Sequence, residues 1–259
     1  MSKITLYNAE ALNILKTLPS NSINLCIFDP PYGTTPLNWD KVLPMKEVWK
    51  ELYRVCKETA AILVFGQEPF SSQLRLSNLK DYKYDWYWEK ERLTNVFQVK
   101  RRPGKVIETI SVFYKKQPTY NPQRTKHTGK LVTNKIKDGT TVATTMGGMN
   151  NKVKPTEYKD DGTRHPTQVI KIPRGNIRKC IHPTQKPVAL GEYLVKTFSN
   201  EGDTVLDITM GSGFIPRACS NLNRICIGID NGICEKEKSE YYKMPWKEVV
   251  EDLIRNDKG

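Results

Sequence analysis

Apolar residues fall along this chain in two textures. Ile23-Asn24-Leu25-Cys26-Ile27-Phe28 and Ala60-Ala61-Ile62-Leu63-Val64-Phe65-Gly66 are short, nearly continuous apolar runs. A strand that is apolar at almost every position is buried on both faces, as in a parallel sheet covered by helices. Other segments place apolar residues at helical spacing: Leu12, Leu15 and Leu18; Val48, Trp49, Leu52 and Val55 within Lys46–Cys56; Phe70 to Leu79; and Tyr193, Leu194 and Phe198. Ile4–Tyr7, Tyr82–Trp88, Thr109–Tyr114, Asp203–Asp207 and Arg224–Asp230 read as further strands. Tyr84, Trp86 and Trp88 share one face at period two, and core packing is their expected role. A helix follows Gly213 to about Leu222, with Pro216 either confining its regular part or sitting in its first turn. Glu235–Asp257 reads as charged and helical, with Trp246, Val249, Val250 and Leu253 as its buried edge.

From Tyr120 to Arg178 the texture changes. Lys, Arg, Thr, Asn, Gly and Pro dominate, Gly139-Thr140-Thr141 and Met146-Gly147-Gly148-Met149 read as loop, and apolar patches are as short as Val169-Ile170-Lys171-Ile172. So long a stretch without periodicity is functional or disordered rather than an ordinary connection. Charge sharpens the point. The chain carries +13, and residues 121–180 hold 13 Lys and Arg against 4 Asp and Glu. A local basic module with a polyanionic partner fits better than a uniformly basic shell. The expected division is 1–118, a first part of the main domain; 119–180, an inserted basic region; and 181–259, a second part. Six cysteines without a C-x-x-C pair and three scattered histidines show no metal-ligand spacing, so the expectation is a reduced, cytoplasmic protein with no structural metal. No apolar stretch approaches membrane-spanning length.

Chemistry concentrates at two strand ends. Asp29-Pro30-Pro31-Tyr32 directly follows the first buried run. Proline fixes φ and removes a donor, so Asp29 and the Pro30 carbonyl are expected as neighbouring acceptors beside the Tyr32 ring. That suits an exocyclic amino group on a stacked base; an Asx-Pro turn with an aromatic lid is the competing reading of these four residues alone. The second place is Asp207-Ile208-Thr209-Met210-Gly211-Ser212-Gly213, a strand running into a Gly-x-Gly turn, followed by a helix and a strand ending on Asp230. Glycines let a backbone approach a ligand, and an acid at the next strand end accepts ribose hydroxyls. The third glycine of a dinucleotide fingerprint is absent, and Asp207 suits a cationic ligand better than a pyrophosphate. S-adenosylmethionine, an adenosine carrying a cation, satisfies both acids.

Asp29-Pro30-Pro31-Tyr32, His182-Pro183-Thr184-Gln185-Lys186-Pro187 and Asp207 through Gly211-Ser212-Gly213 to Asp230, in that order, resemble the permuted beta group of amino-directed DNA methyltransferases, which act on adenine N6 or cytosine N4. The resemblance covers residues 4–118 and 181–243. It implies a Rossmann-like, mostly parallel seven-stranded α/β sheet flanked by helices, with the basic insert as target-recognition region. It further implies that Asp29, Pro30, Pro31 and Tyr32 form the catalytic segment acting on a flipped-out base, here adenine, with cytosine the alternative. Glu10 and Ala11 would meet the cofactor's adenine and Asp230 its ribose. Asp207, Thr209, Gly211, Ser212 and Gly213 would bracket the methionine part, beside Asp29. His182, Thr184 and Lys186 would close the pocket, with Lys186 toward a carboxylate. Thr184 as a helix cap and Glu10 as a solvated first-turn acid compete with those roles. Phe214 departs from the family, which has threonine there, and removes a hydroxyl; a catalytically silent DNA-binding relative is the alternative this opens. Double-stranded DNA is the expected partner, with phosphate contacts from Lys100, Arg101, Arg102, Arg124, Lys126, Arg164, Arg174 and Arg178. A homodimer and a cognate restriction endonuclease are candidate partners. A second His-Pro-Thr-Gln at 165–168 reads as a local turn.

Overall fold

The structure, a computed structural model, describes residues 3–34, 42–127, 133–136, 141–142, 151–152, 156–159, 161–175, 180–181, 185–234 and 239–257. The expected loops at Gly139-Thr140 and Met146–Met149 lie outside these residues. In chain order the elements are β1 (Ile4–Asn8), α1 (Ala11–Thr17), β2 (Ile23–Phe28), α2 (Met45–Val55), β3 (Cys56–Gly66), α3 (Phe70–Ser77), β4 (Tyr82–Glu89) and β5 (Ile107–Phe113). Six short strands follow: β6 (Thr125–Lys126), β7 (Thr133–Ile136), β8 (Thr141–Val142), β9 (Asn151–Lys152), β10 (Thr156–Lys159) and β11 (Thr163–Arg164). Then come β12 (Val169–Lys171), α4 (Val188–Phe198), β13 (Thr204–Asp207), α5 (Phe214–Asn221), β14 (Ile225–Asp230) and α6 (Trp246–Asn256). Residues 1–121 and 167–259 form one compact unit and Pro122–Pro166 another.

The larger unit is built on an eight-stranded sheet in the order β1-β14-β13-β2-β3-β5-β4-β12. Every neighbouring pair is parallel except those made by β5, which runs against both β3 and β4. The apolar runs explain the layers. Along β2 and β3, Cys26, Phe28, Ile62 and Val64 face one cluster with α1, α2 and α3. Leu25, Ile27, Ala61, Leu63 and Phe65 face another with α4 and α5. A strand buried on both sides has no solvent face to spend on polar residues. Trp86 and Trp88 pack in the second cluster, as their period suggested, with Trp86 edge-on to Tyr193 and Phe198. Among the described residues no helix is long and apolar enough to cross a membrane.

Three features differ from expectation. The sheet has eight strands rather than seven, the added one being β12 from the basic stretch. Val169–Lys171 pairs in parallel with Tyr87–Glu89, Ile170 is buried, and Trp88 Nε1 donates to the Ile172 carbonyl at 2.8 Å. Three residues with one inward side chain are too few to show a period. Second, Cys56, placed by spacing at the end of a helix, opens β3 without an intervening loop. Third, the C-terminal helix begins only at Trp246, after Pro245, and Pro245 bridges back to Ile233. Proline cannot sit inside a helix without losing a hydrogen bond, so helix α6 starts where proline is tolerated.

In the smaller unit the described strands pair as antiparallel ribbons, β7 with β10, β6 with β11 and β8 with β9.

The glycine turn between β13 and α5 is fixed from outside. Gly213 has φ +77°, its N–H donates to the Met210 carbonyl at 2.8 Å, and a Cβ there would lie 2.5 Å from Val250 Cγ2 of α6. Gly213→Ala is expected to cost about 3 kcal/mol through steric conflict and backbone strain together, read as a lower urea midpoint with an unchanged slope.

Candidate active site

Strand order converts scattered sequence positions into one site. β1, β14, β13 and β2 are consecutive and parallel, so their C-terminal ends share an edge. Glu10 follows β1, Asp230 ends β14, Asp207 ends β13 and Asp29 follows β2. Crevices at such edges are where open α/β sheets bind ligands. β5 runs the other way, which brings its first residues, Glu108 among them, to this edge as well.

Asp29 is held from three directions. Its N–H donates to Thr209 Oγ1 at 3.1 Å, the Tyr32 hydroxyl donates to its Oδ1 at 2.6 Å, and Lys186 Nζ donates to its Oδ2. The Tyr32 ring stacks on Phe70 with centroids 5.2 Å apart, and Pro30 is buried. Lys186, expected to close the pocket toward a carboxylate, is only 5 % exposed and paired with the chain's own carboxylates. Beyond Asp29 its ammonium lies 3.4 Å from Glu108 Oε2, and Lys90 Nζ donates to Glu108 Oε1 at 2.8 Å. The ammonium also sits 4.6 Å from the centre of the Phe65 ring, a cation–π contact. Burial alone would lower the Lys186 pKa, but Asp29 and then Glu108 lift it above the ordinary lysine value. Burial likewise pushes Glu108 up, and Lys186 and Lys90 overcome that to hold it below the usual carboxylate range.

Sequence reasoning missed Lys90 and Glu108. Lys90 lies in the charged run Glu89-Lys90-Glu91-Arg92 and Glu108 near the start of β5, and only the pairing of β4 with β5 brings them together. The available signal was a charged residue, Glu108, beside the apolar strand Thr109–Tyr114.

The glycine turn carries the other half. Asp230 is gripped by backbone N–H groups, Gly211 to Oδ2 at 2.9 Å and Gly232 to Oδ1 at 2.7 Å. Burial raises its pKa and these two donors oppose the rise. Asp207 is fully buried; its Oδ1 accepts the Thr209 N–H at 3.1 Å, and its Oδ2 has no hydrogen-bond partner among the described residues. Burial drives its pKa well above the ordinary value, Thr209 opposes, and Asp230 and Asp29 add to the rise. Gly211 has φ +46°, and a Cβ there would meet nothing within 4 Å, so open space adjoins the turn. Ser212 is buried. Glu10 is the N-cap residue of α1; its side chain makes no capping hydrogen bond and accepts from Asn231 Nδ2 at 2.6 Å; Ala11 packs in the core. The Phe214 ring is buried edge-on to Phe65, with centroids 5.6 Å apart. His182, Thr184 and Arg178 lie outside the described residues.

The remaining basic candidates separate. Lys100, Arg101 and Arg102 are exposed on the β4–β5 loop, and the Arg174 N–H donates to Glu91 Oε2 of that loop at 2.6 Å. In the smaller unit, Lys126 is exposed on β6, Arg164 donates to the Thr163 carbonyl at 2.9 Å, and Arg124 pairs with Asp161 at 2.9 Å.

The buried Asp207 carboxyl makes a signed prediction. Its folded pKa lies above its ordinary 3.8, so on raising the pH the unfolded chain loses this proton first and stability falls. In the ligand-free protein, Asp207→Asn keeps the Oδ1 acceptor and removes this penalty. The variant is expected to be more stable than wild type at neutral pH, the gap closing as the pH approaches about 4. Urea unfolding at pH 4, 5.5 and 7.5 measures it; a gap that widens toward acid refutes the assignment.

Residues 23–240 match the N6/N4 family model described as DNA methylase. The type II methyltransferase M.HpaI of Haemophilus parainfluenzae is 32 % identical over 234 residues, 86 % of this chain and 68 % of that protein. The DNA adenine methyltransferase YhdJ of Escherichia coli (strain K12) is 27 % identical over 261 residues, 93 % of this chain and 80 % of that one. Among solved structures, the PvuII cytosine-N4-specific DNA methyltransferase has a TM-score of 0.63 at 13 % identity, covering 98 % of this chain and 94 % of that one. The M1.HpyAVI–SAM complex has a TM-score of 0.58 at 22 % identity, covering 97 % and 98 %. A family match across the sheet, the glycine turn and the Asp29 segment places this chain among the N6/N4 DNA methyltransferases.

Proposed function

We propose that this DNA methyltransferase moves a methyl group from S-adenosylmethionine to N6 of an adenine flipped out of double-stranded DNA. The observation that carries the reading is the meeting of Asp29 with the glycine turn: the hydroxyl of Thr209, two residues past Asp207, holds the Asp29 backbone at 3.1 Å. Amino-group chemistry at Asp29 and cofactor chemistry at Asp207 are thereby neighbours. Adenine is favoured by the Asp29-Pro30-Pro31-Tyr32 segment and by likeness to the E. coli adenine enzyme.

The residues fit the cofactor. Asp207 Oδ2, buried and without a hydrogen-bond partner among the described residues, suits a cationic group, and the open side of Gly211 leaves room for it. Asp207 and the Gly211–Gly213 turn would hold the methionine part, and Asp230 and Glu10 the nucleoside. When bound, S-adenosylmethionine supplies an electrophilic methyl on a sulfonium. Asp29 and the Pro30 carbonyl accept the two N–H bonds of the target amine, whose lone pair is otherwise delocalised into the ring. This favours a pyramidal nitrogen and offsets the positive charge that develops on it. Tyr32 offers its ring to the flipped base. Lys186, Tyr32 and Thr209 fix Asp29 before the base arrives, so little reorganisation remains for the reaction. Lys100, Arg101, Arg102, Arg124, Lys126, Arg164, Arg174 and Arg178 supply the phosphate-binding charge, with the 119–180 region reading the target.

The test is transfer of labelled methyl to unmethylated genomic DNA with nucleoside analysis. Label in N6-methyladenine is expected; label in N4-methylcytosine would replace the base and keep the mechanism. Asp29→Ala should lower kcat by about 1,000-fold while DNA affinity holds. Glu108→Gln, which weakens the grip on Lys186, should lower kcat by about tenfold, with S-adenosylmethionine affinity by calorimetry unchanged. An equal loss of cofactor affinity would show that Lys186 and Glu108 serve the cofactor instead.

A further inference from the structure

We propose that the loop joining β4 to β5, residues 90–106, is a DNA-docking wedge: Phe97 is set against the base stack beside the site, and Arg92, Lys100, Arg101 and Arg102 grip the flanking phosphates. The inference rests on the DNA methyltransferase reading and assigns to it a contact element.

Placement comes first. The Lys90 N–H donates to the Val106 carbonyl at 2.8 Å, closing the root of the loop, and Lys90 Nζ binds Glu108. Glu108 pairs with Lys186, and Lys186 with Asp29. The root is thus linked by consecutive ion pairs to the carboxylate beside the target amine.

The loop is also built rather than slack. Asn95 clamps its two arms, accepting from the Lys105 N–H at 2.6 Å and donating to the Pro103 carbonyl at 3.0 Å. The Thr94 N–H donates to the Lys105 carbonyl at 3.0 Å. Gly104 lies against Leu93 so closely that a Cβ would be 2.3 Å from Leu93 Cδ2. The tip is a short 3₁₀ turn, Val96–Gln98. On it Phe97 is fully exposed, and Val96 is 59 % exposed. An ordered loop that holds a phenylalanine and a valine in water gains nothing from them in the free protein, and such a patch marks an interaction site.

Charge selects the partner. Residues 90–106 contain Lys90, Arg92, Lys100, Arg101, Arg102 and Lys105 against Glu91, and the Glu91 carboxylate is taken by the Arg174 N–H. Burial first, then Arg102 and Lys90, lower the Lys105 pKa. A second copy of this chain would bring the same cations and be repelled. A duplex offers phosphates to the cations and, where a base has left the stack, an apolar gap for an aromatic wedge.

The test compares wild type, Phe97→Ala, Phe97→Leu and the double variant Arg101→Glu/Arg102→Glu, all full length. Binding to dye-labelled unmethylated genomic duplex fragments is followed by anisotropy over a salt series. Phe97→Ala is expected to weaken binding about tenfold and Phe97→Leu to recover most of it. The double variant should flatten the log–log salt slope by about 1.8. All should bind S-adenosylmethionine as wild type does, which excludes misfolding. Wild-type DNA affinity in Phe97→Ala, or an unchanged salt slope in the double variant, overturns the wedge. So does Phe97→Ala converting a DNA-free dimer to monomer in sedimentation, which would make the tip an interface between copies. Methyl transfer on the same fragments separates the two readings. A wild type that binds through the tip but transfers nothing sinks the methyltransferase reading alone; one that transfers normally alongside unaffected variants sinks the wedge alone.

Discussion

A buried ammonium is the constraint around which this site closes. Lys186 Nζ lies between Asp29 and Glu108, and Lys90 stands behind Glu108. Taking a charge out of water costs several kcal/mol unless it is paired, so these four groups must occur together or not at all. They alternate in sign and sum to zero, which lets the chain of charges pass through an interior otherwise lined by Phe65 and its neighbours. The end of β2, the end of β4, the start of β5 and the entry to α4 are held in register by that requirement. Apolar packing alone would leave their relative positions freer, because hydrophobic contact is not directional.

Outside this neutral chain the electrostatics are unbalanced. Asp207 and Asp230 have no ion-pair partner among the described residues, and burial raises both pKa values. The fold tolerates the cost because backbone N–H groups of Thr209, Gly211 and Gly232 are fixed in place to receive them. A neutral chain of charges holds Asp29, Asp207 and Asp230 lie beyond it, and Thr209 joins the two by its hydroxyl and its N–H.

The sequence showed the sheet because it depends on short-range pattern. Parallel strands announce themselves by continuous apolar runs, and Asp29, Asp207 and Asp230 each sit at the end of one. What it hid depends on pairing across the sheet. Lys186 could be named, but its partner could not, because Glu108 becomes its neighbour only once β5 is known to run backwards. β12 was hidden for a similar reason: one buried isoleucine makes no pattern until β4 lies beside it. The contact of the Phe214 ring with Phe65 was hidden in the same way, since it joins α5 to β3.

The bond between the Asp29 N–H and the Thr209 hydroxyl joins residues 180 positions apart in sequence, across the neighbouring strands β2 and β13. The site is therefore assembled by lateral adjacency in the sheet, and connectivity contributes little to it. A gene that joined the same strands in another order would rebuild the same chemistry, provided β13 and β2 stayed side by side. Motif order then records the history of the chain rather than its mechanism.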